Sequence, residues 1–263
     1  MEDLRQKYNP DGSTLRKAQL RMLDILIEVD KILRKHNIDY WLDGGTLLGA
    51  VRHGGFIPWD DDLDISIRQS DYSRVREILK RELPGNLVFQ DRSTDWNFPF
   101  LIAKVRDKNS YLFETNYTER VKDKGIYIDI IPMEEVIAPK FKERIDYVYR
   151  HSFWGIHNYS DIKEKILGYI AYLPIVSLVG ICRLWTKLFH THKWADRYGW
   201  LVSHQFEEND IFPVKEITFE GQSFYGPCNP DHFLKTIFGD YMQIPPEDKR
   251  MVHNSKIEIY DEQ

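Results

Sequence analysis

The sequence predicts an α+β fold: a mixed β-sheet core flanked by helices, with a helical insertion after it. Two observations carry this. Residues 13–132 alternate helix-period and strand-period segments, with several strands adjacent in the chain rather than one per helix. After Pro139 the pattern turns helical and apolar, most strongly over 165–190. The expected division is a core over 1–135, a helical apolar region over 136–212, and a C-terminal segment over 213–263 that packs back on the core.

The 263 residues suffice for a sizeable core, and 42% hydrophobic with 29% charged residues describe a folded chain. A net charge of −5 gives no global positive field, which argues against a nucleic-acid partner. Two unclustered cysteines, Cys182 and Cys228, exclude a disulfide framework and a cysteine-rich zinc site. The polar start MEDLRQKYNP is no signal peptide, so a cytoplasmic location is expected, with peripheral contact at the inner face of the cell membrane.

Taken in order, Ser13 or Thr14 caps a helix whose stripe (Leu15, Ala18, Met22, Ile25, Leu26, Val29, Ile32, Leu33) runs to about Lys35. A short strand, 39–42, enters the turn Asp43-Gly44-Gly45-Thr46, and a short helix over 46–51 is broken by Gly54-Gly55. A strand follows over 62–67, then a helix over 71–83 ended by Pro84-Gly85. Strand segments 87–90, 100–106 and 111–114 come next, then a strand over 125–131 expected to stop at Pro132. Residues 140–150 read as helix. In 165–190, Pro174 is expected to interrupt the apolar run, leaving three readings open: a membrane span, a buried helical hairpin, or a surface touching membrane between basic flanks. Strands 215–219 and 223–225 precede a helix capped at Asn229 and ending near Gly239.

The chemistry concentrates in Asp60, Asp61, Asp62 and Asp64. In an extended chain Asp60, Asp62 and Asp64 share one face while Leu63, Ile65 and Ile67 point to the core; Asp61 faces away and is the least favoured acid. Carboxylates crowded on a half-buried strand are tolerable around a hard divalent cation, Mg²⁺ or Mn²⁺; the bland alternative is a solvated acidic loop. Gly44, Gly45 and Thr46 precede a helix start, where backbone amides can cradle phosphate, although two glycines alone often make only a turn. A third carboxylate is best supplied by Asp129, which stands inside an apolar strand.

The stretch TLLGAVRHGGFIPWDDDLDI, with YIDIIP downstream and FGDYMQIPP near the end, resembles the LicD family of phosphoryl-transferring enzymes, related to fukutin and fukutin-related protein. The likeness spans about 36–132 and 220–253. It implies a nucleotidyltransferase-like fold, with the Gly-Gly turn at Gly44-Gly45-Thr46, the acidic strand at Asp62-Leu63-Asp64-Ile65 and Asp129 as the later acid. It further implies transfer of a phosphate-linked alcohol, typically phosphocholine from CDP-choline, to a hydroxyl of a teichoic acid or lipopolysaccharide glycan; eukaryotic relatives use CDP-ribitol. Asp62, Asp64 and Asp129 are then expected to hold metal, with Asp60 a further ligand or a positioner of water. Arg52 and His53 are expected to offset charge on departing CMP, and Lys104 to reach a phosphate; each is equally readable as a surface residue. Trp41, Trp59 and Tyr127 could cage a choline cation, but core packing is the stronger reading. Residues 140–215 match no motif of the family, so acceptor choice is expected there. The alternatives are a nucleotidyltransferase that attaches the nucleotide itself, and a non-catalytic, membrane-associated glycan-assembly protein.

Overall fold

The computed structural model describes residues 4–114, 118–158, 162–199, 204–250 and 256–260. The chain runs α1 (Leu4–Tyr8), α2 (Thr14–Lys35), β1 (Tyr40–Leu42), α3 (Gly44–His53), β2 (Asp64–Arg68), α4 (Tyr72–Glu82), β3 (Leu87–Gln90), β4 (Ala103–Asp107), β5 (Ser110–Phe113) and β6 (Tyr127–Glu135). It continues through α5 (Pro139–Asn158), α6 (Ile162–Phe189), β7 (Lys193–Asp196), β8 (Phe206–Glu207), α7 (Glu208–Ile211), β9 (Lys215–Phe219), β10 (Gln222–Gly226), α8 (Pro230–Phe238) and β11 (Lys256–Ile259). This is the expected α+β architecture with a mixed sheet.

The main sheet has the order β1-β2-β6-β4-β3; β2 and β6 are parallel, and the other pairs are antiparallel. β7 extends it by pairing with the last residues of β6, and β8 pairs with β7. One face takes the apolar stripe of α2: Met22, Ile25, Leu26, Val29 and Leu33 are buried with Ile65, Ile67, Val105, Ile128 and Ile130. Ser13 caps α2 by accepting the Arg16 N–H at 3.2 Å, and Arg34 and Lys35 lie in its last turn, where they complement the helix dipole. The β9–β10 hairpin sits against β1, and α8 against α3.

Two expectations about proline fail. β6 runs through Pro132 instead of stopping there. Pro132 falls between Ile130, the last residue paired with β4, and Met133, the first paired with β7, so that flank of β6 asks it for no N–H. Likewise α6 passes through Pro174 unbroken, and the hairpin in this region is made by α5 with α6. The buried-hairpin reading of 165–190 also fails: most of the apolar stretch Lys165–Phe189 is not buried, although it is long and apolar enough to cross a membrane. Its inner seam, Ile175, Val179 and Cys182, forms a second small core with Val136, Ile145, Tyr149, Ala195 and Tyr198. The Arg183 guanidinium adds two bonds to Glu134 on β6, at 2.6 and 2.8 Å.

Candidate active site

The sheet face opposite α2 carries the polar groups. Along the segment leading into β2, Leu63, Ile65 and Ile67 are fully buried, whereas Asp60, Asp62 and Asp64 are partly exposed on the other side. Asp61 is buried at 1% exposure while its three neighbours are partly exposed; β2 begins only at Asp64, so the acids before it lie in the segment leading into the strand rather than in the strand expected from residue 62. The parallel register sets Asp64 directly opposite Asp129, and the antiparallel register sets Asp129 opposite Lys104. Three charged side chains therefore stand in a row across β2, β6 and β4. The Asp129 N–H bonds the Leu63 carbonyl at 2.8 Å, which locks the two acidic strands together.

The turn before α3 closes over this row. Asp43 is the N-cap of α3 and accepts the Gly44 N–H at 2.7 Å; its other oxygen takes a short bond from the Ser66 hydroxyl. Gly44 has φ +49°, a left-handed backbone that disfavours a side chain. A Cβ on Gly45 would come 2.7 Å from Asp60 Oδ2, so glycine there is what lets the turn approach the carboxylates. Thr46 is nearly buried, and its hydroxyl accepts the Asp64 N–H at 2.8 Å, pinning the start of β2.

Electrostatics follow from this crowding. Burial pushes the Asp64 carboxyl well above the usual carboxylate range, and the charges of Asp62, Asp129, Asp43 and Asp60 push it further. Burial raises Asp129 to about 6 against the pull of Lys104. The Lys104 ammonium lies 2.9 Å from Asp129 Oδ1, a close ion pair that is off the hydrogen-bonding direction. It also sits 3.4 Å from Glu114 and 3.2 Å above the Tyr127 ring. Lys104 is thus a buried cation held among two acids and an aromatic face.

Arg52 lines the same cavity as Asp60, Asp62 and Asp64, whereas His53 does not. Arg52 donates from Nη1 to the Tyr241 carbonyl at 2.7 Å and from Nε to the His53 ring at 3.0 Å. His53 is pushed down to about 4, by burial and then by Arg52, so it is neutral near pH 7 and carries no charge to offset a leaving group. Arg52 straps the FGDYMQIPP stretch to the end of α3. The result is a cavity of about 390 Å³ whose wall includes Asp60, Asp62, Asp64, Trp59, Tyr241 and Lys249. The three aromatics considered for a cation cage have separate partners: Trp41 packs edge-on against Phe212, Tyr127 lies under Lys104, and Trp59 meets Tyr8 and His53. Core packing accounts for Trp41 and Tyr127, and Trp59 alone borders the cavity.

Several positioning groups escaped the sequence reading. Asp43 had a signal, an acid immediately before a helix start. Gln19, fully buried on α2, donates to the Asp60 carbonyl at 2.8 Å and so fixes the acidic loop. Arg16 grips Glu220 through two bonds, 2.6 and 3.1 Å, and Glu220 accepts the Phe56 N–H at 3.0 Å. Glu114, between Lys104 and the Tyr127 hydroxyl, had no local signal because its partners come from other strands.

Among the described residues, no group of three or more His, Cys, Asp or Glu side chains forms a ready-made metal cage. What the strands do bring together is a pair, Asp64 and Asp129, with Asp62 and Asp60 beside them.

Residues 37–168 match the family model described as LicD/FKTN/FKRP, nucleotidyltransferase domain. The chain is 26% identical over 255 residues, 92% of its own length and 96% of the relative's, to the lipopolysaccharide cholinephosphotransferase LicD of Haemophilus influenzae. An uncharacterised protein of Rickettsia prowazekii is 32% identical over 164 residues, 62% of this chain and 53% of that protein. The human ribitol 5-phosphate transferase FKRP is 38% identical over 65 residues, 25% of this chain and 13% of that protein.

Proposed function

The chain belongs to the LicD/FKTN/FKRP nucleotidyltransferase-domain family, and from that premise we propose that it is a phosphotransferase acting on a cell-surface glycan, with a CDP-activated alcohol as donor. CDP-choline is the first candidate donor, and a lipopolysaccharide or teichoic acid precursor the acceptor. The observation that carries this reading is the pairing of Asp64 with Asp129 on adjacent parallel strands, beside a glycine turn that packs closely against the acids. Similarity to a lipopolysaccharide cholinephosphotransferase over almost the whole of both chains supports the choice of alcohol and acceptor.

Asp62, Asp64 and Asp129 would hold Mg²⁺ or Mn²⁺. The fit rests on their chemistry: hard carboxylate oxygens, two of them raised first by burial and then by neighbouring carboxylates, a crowding of negative charge that a divalent cation would offset. Such a cation typically takes one or two carboxylates plus substrate phosphates, which agrees with a protein half-site lacking a full cage. When bound, it neutralises charge on the donor diphosphate. The chain's own groups do the rest. Gly45 lines the cavity beside the acids and would border the phosphates, while the Gly44 N–H is held by Asp43; the part of the cavity beside Trp59 and Tyr241 takes the rest of the donor. The acceptor hydroxyl attacks the phosphorus that carries the alcohol. Its oxygen bonds to that phosphorus, the bond to CMP breaks, and CMP leaves with the electron pair. The hydroxyl proton passes to Asp129, which stands between Asp64 and Lys104 in the row across the three strands. Lys104 holds Asp129 in position. Turnover in the cytoplasm is part of the same proposal.

Product balance tests this. Incubated with CDP-choline, Mg²⁺ and a choline-free glycan, the enzyme should yield CMP and a choline phosphodiester in equal amounts by phosphorus NMR. Release of pyrophosphate from a nucleoside triphosphate, with the nucleotide retained on the product, would favour the nucleotidyltransferase alternative. No turnover of any CDP donor in a folded chain would favour the assembly-protein alternative.

A further inference from the structure

The outer face of α6 is out of keeping with a surface bathed in water. Ile166, Leu167, Ile170, Leu173, Ile181 and Leu184 are all more than half exposed, with Leu173 at 64%. No charged residue occurs between Lys165 and Arg183, a distance of about 25 Å along the helix. A monomer in water rarely shows an apolar strip of this extent, so something covers it.

The ends of the strip say what. Lys163 and Lys165 flank it on one side, interleaved with Asp161 and Glu164, and Lys187 and His190 on the other, so the stronger basic end is the C-terminal one. Tyr169 and Trp185, about half exposed, sit just inside these basic groups. Aromatic residues next to basic ones at both ends of an apolar face match the headgroup layer of an anionic bilayer. A second protein copy would call for polar groups on the strip to set register, and from 166 to 182 the exposed polar side chains are Ser177 and Tyr169. The inner seam is tied down by its packing with Val136, Tyr149 and Tyr198 and by the two bonds from Arg183 to Glu134. Crossing a membrane would tear these contacts away. Lying in its surface keeps them.

We propose that α6 docks the protein flat on an anionic phospholipid bilayer, with its Ile166–Leu184 face in the interfacial layer and its basic ends on the headgroups. The catalytic sheet is then held at the membrane through Glu134, which belongs to the same strand as Asp129. This reading does not depend on the donor chemistry, because docking is measured without turnover.

The test is co-sedimentation of the full chain with phosphatidylglycerol–phosphatidylethanolamine vesicles, against vesicles of phosphatidylcholine alone. The wild type should bind the anionic vesicles, more weakly as salt rises. Ile170→Glu and Leu173→Glu, each at an exposed position, should lower partitioning about tenfold or more with unchanged circular dichroism. Leu184→Glu, on the other half of the face, should act alike. Equal binding by wild type and all three variants would overturn the proposal, as would no vesicle binding at all. A stable lipid-free dimer that the same variants dissociate would overturn it in favour of a second copy.

Discussion

The acidic end of β2 and the outer face of α6 break the usual partition of residues in opposite senses. At β2, carboxylates crowd into a partly desolvated recess and raise one another's pKa. At α6, leucines and isoleucines stand in the open. Both anomalies are fastened to the same strand: Asp129 near the start of β6 faces Asp64, and Glu134 near its end holds Arg183 of α6. In each case one side of the element is ordinary core and the other is not. Ile65 and Ile67 bury the back of β2, and Ile175, Val179 and Cys182 bury the back of α6. The lesson is that a misplaced residue type can be kept where a well-packed rear face supplies the stability, and that such places mark what the molecule meets.

Substitutions that separate front from rear should break this comparison if it is wrong. The largest effect is expected from Asp129→Asn, which keeps shape and removes the base; kcat should fall by roughly 10²- to 10⁴-fold with the melting curve still cooperative. On α6, Val179→Glu on the rear should cost about 3–5 kcal/mol by urea unfolding, as an unpaired buried charge, while Leu173→Glu on the front stays within about 0.5 kcal/mol. Equal costs at the two positions would mean that α6 is not one-sided. Gly45→Ala should leave the fold intact but displace Asp60, and kcat/KM should drop about 10- to 100-fold.

The smallest effect concerns pH. The Asp64 carboxyl is raised in the fold, so the folded chain holds that proton more tightly than the unfolded one. Stability from this group is therefore full at low pH and is lost as pH rises through the raised pKa. In chelator-treated protein, Asp64→Asn should be more stable than wild type at pH 8, by about 0.5–2 kcal/mol. The gain should vanish below about pH 4, where the carboxyl is protonated in both states. Thermal melts across that range check it; a variant less stable than wild type at pH 8 would mean that the carboxylates do not repel.

Much of the front half was legible because its signals are local. The α2 stripe, the alternation that separates Asp61 from Asp60, Asp62 and Asp64, and the cap at Asn229 are each set by residues within a turn or two. Motif likeness reached Asp129 and the FGDYMQIPP stretch but gave the latter no role; the strap from Arg52 to the Tyr241 carbonyl is a contact between residues far apart in the chain. Pro132 misled because a proline ends a strand only if its missing N–H was needed, and neighbouring strands decide that, as the gap between β4 and β7 does. Nothing in the structure explains why α6 continues through Pro174. The strands β7, β8 and β11 are two to four residues long and have no pattern of their own. The exposure of α6 was open in the sequence, since an apolar run reads the same whether it faces core or lipid.

The most direct test of the central claim is CMP release from CDP-choline with Mg²⁺ and a choline-free glycan acceptor, comparing wild type with Asp62→Ala and Asp64→Ala. The account predicts glycan-dependent CMP release by the wild type and a loss of about 10³-fold or more in both variants, with their folds retained. Release that persists in either variant would contradict the assignment of the acidic strand as the site of phosphotransfer.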